Sequence, residues 1–222
     1  MSNMRRPHPA VASSSTRHRT VPAIPDSKVD EIIKSVATDP FDELAALPGV
    51  AQRGGLSPAG LPERYLYSED MNYRYAFGRW WGEQDLAATA VWVLLNPATG
   101  DTEQRRRPTL ERCITWSRDA GHTGIVIVNL FAYRATDPRS LRTAADPVGP
   151  HNDSALAAFT AAGARTLVAW GAHGRLHRRS SQVASLLTNP TCLGTTRAGE
   201  PRHPLYVRGD TAITTWTVRS TT

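Results

Sequence analysis

From residue 89 onward the chain alternates apolar runs with helical stretches: "TAVWVLL", "PTLERCITWSRDAG", "GIVIVNLF", "HNDSALAAFTAAG", "TLVAWG", "GRLHRRSSQVASLL", then the short runs "TCLG" and "AITTW". Strands separated by helices of about 10 to 15 residues need crossover connections, and such connections build a mainly parallel sheet with helices on both faces. "TAVWVLL" has no polar side to turn to water, as expected of a strand covered on both faces. Upstream, "YLYS" and "YRYAFGRWW" alternate like half-buried antiparallel strands. The fold expected is therefore α/β: a three-layer α/β/α sandwich with a central, mainly parallel sheet, extended by antiparallel strands on its N-terminal side.

The chain is long enough, at 222 residues, to bury a sizeable core. Residues 1 to 24 are rich in Pro, Ser, Ala and Arg and read as a disordered basic arm. Residues 25 to 60 read as short helices, "PDSKVDEIIKSVA" and "DPFDELAAL", followed by a Gly/Pro linker, "PGVAQRGGLSPAGLP". The α/β domain is then expected over residues 61 to 222. No apolar run reaches the roughly 18 residues of a membrane span, and the N-terminus lacks the apolar core of a signal peptide, so a cytoplasmic location and no membrane partner are expected. Two cysteines without a CxxC pair exclude a disulfide framework and four-cysteine metal sites, and neither a metal nor a cofactor is expected. His173 and His177 lie four apart, yet no third ligand with matching spacing accompanies them.

A net charge of +6, nearly all of its positive side arginine, points to an anionic partner, with nucleic acid the usual one. A GC-rich genome produces the same bias. Candidate phosphate contacts are Arg105, Arg106 and Arg107 ahead of a helix starting near Pro108, Arg175, Arg178 and Arg179 near another, and Arg134 and Arg202 in loops. A solvated charged loop is the competing reading for each cluster. No GxSxG, HExxH, P-loop or GxGxxG occurs, which removes the usual support for those four chemistries.

Ligands on a parallel sheet bind beyond the carboxyl ends of its strands. Three successive strands end in "LLNPATGD", "IVNLFAYRATDP" and "VAWGAHGR", so Asn96, Asn129 and Gly171 are expected at one edge. A histidine in "PRHPLYV" follows. Asn-Pro is also an ordinary turn starter, and a loop histidine often faces water.

The joint order of these segments resembles the uracil-DNA glycosylase superfamily, which carries a water-positioning Asp or Asn before a Pro, a base-reading strand-end Asn, a "WG" and a closing His-Pro. More closely, the stretch from about Tyr65 to Trp216 resembles a bacterial and phage family, domain of unknown function 1643, through "LNPATGD", "PTLERC", "NLFAYRATDP" and "GEPRHPLY". The glycosylase resemblance implies hydrolysis of an N-glycosidic bond in DNA. Asn96, with Asp101 at the same rim, falls on the water side, and His203 falls on the departing-base side. Pro97, Asn129, Phe131 and Tyr133 are the candidates for holding an extruded base, and Leu205 is the candidate wedge. Leu95 stands where a Gly is usual, and "HPLY" lacks the Ser of "HPS", which points from uracil itself towards a modified, damaged or unusual base. A non-catalytic nucleic-acid or nucleotide module, and a hydrolase of free nucleosides or nucleotides, are the alternatives.

Overall fold

A computed structural model describes residues 38–99 and 107–218. The basic arm and the helix expected over "PDSKVDEIIKSVA" lie outside the described residues. Helix α1 (Pro40–Ala45) forms where Asp39 caps it, its Oδ1 accepting from the Phe41 N–H at 2.8 Å, with Pro40 pre-set at the first position. Three antiparallel strands follow, β1 (Val50–Leu56), β2 (Pro62–Ser68) and β3 (Arg74–Trp80). The crossover region supplies β4 (Thr89–Leu94), α2 (Pro108–Asp119), β5 (Gly124–Asn129), α3 (Asn152–Ala162), β6 (Arg165–Val168), α4 (Arg179–Val183), β7 (Thr191–Cys192) and β8 (Thr214–Thr215).

The strands form one eight-stranded sheet in the order β1-β2-β3-β5-β4-β6-β7-β8. It is mixed rather than mainly parallel: β5-β4-β6-β7 pair in parallel, while β1-β2-β3-β5 and β7-β8 pair antiparallel. Residues 50 to 56, expected as linker, are an edge strand instead, with Val50 opposite Ser68 and Leu56 opposite Pro62. Only Val50 of β1 is buried, so main-chain hydrogen bonds hold this strand without an apolar pattern to announce it. The compact unit accordingly begins at Thr38, not near Leu61.

Alternation along β4 sorts the core. Val91, Val93 and Leu95 pack with Phe41, Leu156, Phe159 and Val183, from α1, α3 and α4. Ala90, Trp92 and Leu94 pack with Leu110 and Cys113 of α2. Four buried tryptophans find an acceptor: Trp80 donates to Thr89 Oγ1 (3.0 Å), Trp92 to Ser117 Oγ on α2 (3.0 Å), Trp170 to Glu200 Oε2 (2.7 Å) and Trp216 to the Gly199 carbonyl (3.2 Å). No helix among the described residues is long and apolar enough to cross a membrane.

The segment "GRLHRRSSQVASLL" is broken rather than continuously helical. A 3-10 stretch (Ala172–Arg178) contains Leu176 at ψ 130° and His177 at φ 52°, and Arg178 follows at φ 57°, so α4 starts only at Arg179. The break lets Arg179 turn inward, where its Nε donates to the Leu130 carbonyl at 2.8 Å and its Nη2 pairs with Asp153. His173 and His177 therefore do not share a regular helix face, and no cluster of three metal-ligating side chains exists among the described residues.

Candidate functional site

Strands β4, β5 and β6 end at one edge, with Leu94 opposite Asn129 in the parallel register. Beyond this edge lies a cavity of about 1100 Å³ whose described lining includes Asn96, Asn129, Trp170, Gly171 and His203. Three separate loops thus deliver the expected polar residues to one space. The cavity lies beyond the carboxyl ends of these parallel strands, where β5 and β6 flank β4 on opposite sides.

The loop carrying Asn96 is zipped to the loop after β5. Leu94, Leu95 and Pro97 carbonyls accept from the N–H groups of Leu130, Phe131 and Ala135 at 2.9, 3.0 and 3.0 Å. The Asn96 Nδ2 donates to the Ala135 and Pro97 carbonyls at 2.7 and 3.1 Å. Asn96 is therefore in part the turn residue its Asn-Pro context suggests. With both amide hydrogens engaged, the group left for a ligand is the acceptor Oδ1. Arg134 locks the same loop, donating to the carbonyls of Thr99 (2.9 Å) and Met71 (2.8 Å), so it serves as a clamp rather than a cavity-facing phosphate contact.

Asn129 is the last residue of β5 and only 1% exposed. Its Oδ1 accepts from Arg74 Nη2 at 3.4 Å, and its Nδ2 has no partner among the described residues. A guanidinium is a donor only, which fixes the amide with its oxygen towards Arg74 and leaves the NH2 group as the ligand-side function. The sequence suggests an amide offering donor and acceptor together; the structure leaves the donor. Arg74, itself 6% exposed, sits beside it in the lining.

His203 arrives on a loop held by Glu200 and Gly171. Glu200 Oε2 accepts from Trp170, Oε1 accepts from Ser180 Oγ at 3.0 Å, and the Glu200 carbonyl accepts from the Thr196 N–H at 2.7 Å. The Gly171 N–H donates to the Pro201 carbonyl at 2.9 Å. Gly171 has φ 73° and ψ −171°, a backbone region essentially reserved for glycine. The His203 Nδ1 accepts from the Leu205 N–H at 3.4 Å, which favours the tautomer with hydrogen on Nε2. Burial holds the imidazole below its ordinary pKa of 6.5, keeping it a neutral Nε2–H donor near pH 7.

Of the other residues singled out from the sequence, Arg107 and Arg202 also line the cavity. Asp101, Arg105 and Arg106 lie outside the described residues. Phe131 is fully buried in the α3-side core and Pro97 is buried beneath the loop, so neither is placed to stack on a ligand. Tyr133 packs edge-on to Tyr73 at 6.0 Å and is not part of the lining. Leu205 is 46% exposed next to His203. Arg175 and Arg178 are exposed but away from the lining, and Arg179 is buried in its contacts with Leu130 and Asp153, which removes it from any nucleic-acid surface.

The lining also includes residues the sequence reading passed over: Arg74, Phe77, Thr99, Thr136, Arg197 and Tyr206. Phe77 and Tyr206 are the aromatics placed to meet a flat ring, and the Thr99 and Thr136 hydroxyls hydrogen-bond to each other. "LNPAT" and "RAT" carry the two threonines, and an arginine between two tyrosines in "YRYAF" was the visible sign of a buried cation. The described lining holds Arg74, Arg107, Arg197 and Arg202 and no carboxylate, a balance suited to an anionic or acceptor-rich ligand.

A family model described as "Protein of unknown function (DUF1643)" matches residues 74–205, from Arg74 on the cavity wall to Leu205 just past His203. No curated protein matches the chain. No solved structure matches it either.

Proposed function

This chain belongs to the DUF1643 family, and from that premise we propose that it is a glycosylase-like enzyme hydrolysing the N-glycosidic bond of a modified, damaged or unusual base in DNA. One observation carries the reading: Asn96, Asn129 and His203, remote in sequence, line a single cavity at the carboxyl edge of the sheet. In the same reading, the helices on the two sides of the sheet form the outer layers of a glycosylase-like three-layer sandwich.

Each residue then has a defined task. Asn96 cannot act as a base, so its Oδ1 holds the attacking water by accepting a hydrogen bond, and the rate gain comes from position. Water adds to the sugar carbon as the bond to the base breaks and its electron pair leaves with the base; the added water gives up one proton to solvent, and the base anion takes one up as it departs. His203 donates from Nε2 to a carbonyl oxygen of the leaving base, where that charge collects. Asn129 donates from Nδ2 to another acceptor on the base, and Phe77 or Tyr206 supplies a stacking face. Leu205, exposed beside His203, is the wedge that fills the gap left by an extruded nucleotide.

The Asn96 amide, which cannot act as a base, is compatible with a second reading, a binding module that retains the pocket without the chemistry. Duplex and single-stranded DNA carrying a panel of modified bases distinguishes the two. Alkali-labile breaks that disappear with Asn96→Ala and with His203→Ala support the enzyme. Salt-dependent binding without breaks supports the module.

A further inference from the structure

The cavity is larger than a nucleobase requires, since pockets of about 300 to 1000 Å³ already bury whole drug-sized ligands and this one measures about 1100 Å³. One wall of it is the start of α2. Arg107, Pro108 and Thr109 line the cavity, Arg107 being the N-cap residue of this 12-residue helix. Pro108 has no N–H and the Glu111 N–H bonds to the Arg107 carbonyl, so the first-turn donors without a partner inside the helix are the Thr109 and Leu110 N–H groups, where the helix dipole also places partial positive charge.

An independent observation on the same face of the sheet points to a ligand. Alternation along β5 sets Ile127 with the α2-side core and Val128 with the opposite core, so the Asn129 side chain projects towards the α2 side. There its Nδ2 is a donor without a partner among the described residues, on a side chain 99% buried, and its orientation is dictated by Arg74. Leaving such a buried donor unsatisfied is unfavourable, and a ligand acceptor relieves that cost.

We propose that the cavity takes a whole nucleotide, with its phosphate on a subsite formed by the N–H groups at the start of α2 and the Arg107 guanidinium, and an acceptor of its base on Asn129 Nδ2. The phosphate is either the monoester of a free nucleotide or the diester of a DNA strand. Both present the same anionic oxygens to backbone N–H donors and a guanidinium. This assignment rests on the nucleobase reading of the same cavity and adds to it the anion partner and the residue that recognises it. Arg107 is only partly buried, so its replacement tests the subsite without opening the core.

The test is isothermal calorimetry on the full chain at low salt, with deoxyuridine, its 5′-monophosphate and a short oligodeoxynucleotide, using the wild type, Arg107→Ala and Asn129→Leu. The phosphate of the monophosphate or of the oligonucleotide is expected to tighten binding at least tenfold over the nucleoside. Arg107→Ala is expected to remove most of that gain while leaving nucleoside affinity within about twofold, and Asn129→Leu to weaken all ligands about tenfold. Preference for the monophosphate assigns the site to free nucleotides; preference for the oligonucleotide assigns it to DNA. Equal affinity for nucleoside and nucleotide, or a phosphate gain that survives Arg107→Ala in a protein with unchanged melting, overturns the subsite and leaves the base pocket standing. Absence of binding by all three ligands overturns both. Failure to release any base of the modified-base DNA panel, with the phosphate gain intact, overturns the hydrolase reading and keeps the subsite.

Discussion

Glu200 is a buried carboxylate, 8% exposed, that accepts from two buried donors, Trp170 Nε1 at 2.7 Å and Ser180 Oγ at 3.0 Å. Replacing it with leucine removes both acceptors at once. Hydrogen bonds to a charged group contribute about 1.5–3 kcal/mol each, so two give roughly 3–6 kcal/mol. The carboxylate no longer has to be desolvated in the variant, which returns part of that sum and leaves a net loss of about 3 kcal/mol. For a chain of this size each kcal/mol moves Tm by about 2–4 °C, so Glu200→Leu is expected to melt about 6–12 °C lower. Glu200→Gln keeps one acceptor for Trp170, and the Ser180 hydroxyl can turn to accept, so about 1 kcal/mol is lost. A double-mutant cycle with Ser180→Ala, read by urea unfolding, isolates the hydrogen bond: serine removal is expected to cost at least about 1 kcal/mol less once Glu200 is leucine. A Glu200→Leu variant melting within 2 °C of wild type, or strict additivity in the cycle, refutes an anchoring role. Because the Glu200 carboxylate ties the approach of the His203 loop to Trp170 and Ser180, the same variant is expected to loosen that approach and weaken nucleotide binding.

Gly171→Ala places a side chain at φ 73°, where the space is adequate, the nearest atom being His203 Cβ at 3.5 Å, but the backbone is not. A stability loss of about 1–3 kcal/mol by urea titration is expected, together with weaker nucleotide binding. Phe131→Ala is expected to lose about 3–5 kcal/mol as a core truncation, while conditions that keep the variant folded show near-normal nucleotide affinity; selective loss of affinity in a stable Phe131→Ala protein contradicts its assignment to the core. Burial depresses the folded pKa of both His122 and His203 below 6.5, so the unfolded chain binds protons first as pH falls. Stability is therefore complete above pH 6.5 and declines as pH drops through the folded values, and His203→Gln is expected to flatten part of that decline in the urea midpoint.

The regions legible from the sequence are those where one physical signal dominates. Strands β4, β5 and β6 are apolar because both sheet faces are covered, and their polar ends locate the edge at which Asn96, Asn129 and Gly171 meet. β1 was illegible because it buries little beyond Val50 and is held chiefly by its ladder to β2. The break before α4 was hidden because nothing local shows that Arg179 reaches across to Leu130 and Asp153. The placement of the aromatics was hidden for a similar reason. Phe131 lies in the stretch that carries the motif but turns to the α3-side core, while Phe77 lies outside that stretch and reaches the cavity through the β3–β5 register, opposite Ile127. The pairing of Arg74 with Asn129, 55 residues apart, sets the donor character of the pocket and depends on the same register.

The decisive experiment is a nitrogen-15 NMR titration that follows the side-chain amides of Asn96 and Asn129 and the imidazole of His203 as a deoxynucleotide is added. The expected outcome is a His203 with hydrogen on Nε2 and three sets of resonances that shift along one saturation curve, with the Asn96 and His203 shifts moved to higher nucleotide concentration in Asn129→Leu. Resonances that respond at different concentrations, an Nδ1–H imidazole, or a bound nucleotide that leaves any one of the three unmoved would show that these groups do not form a single working site.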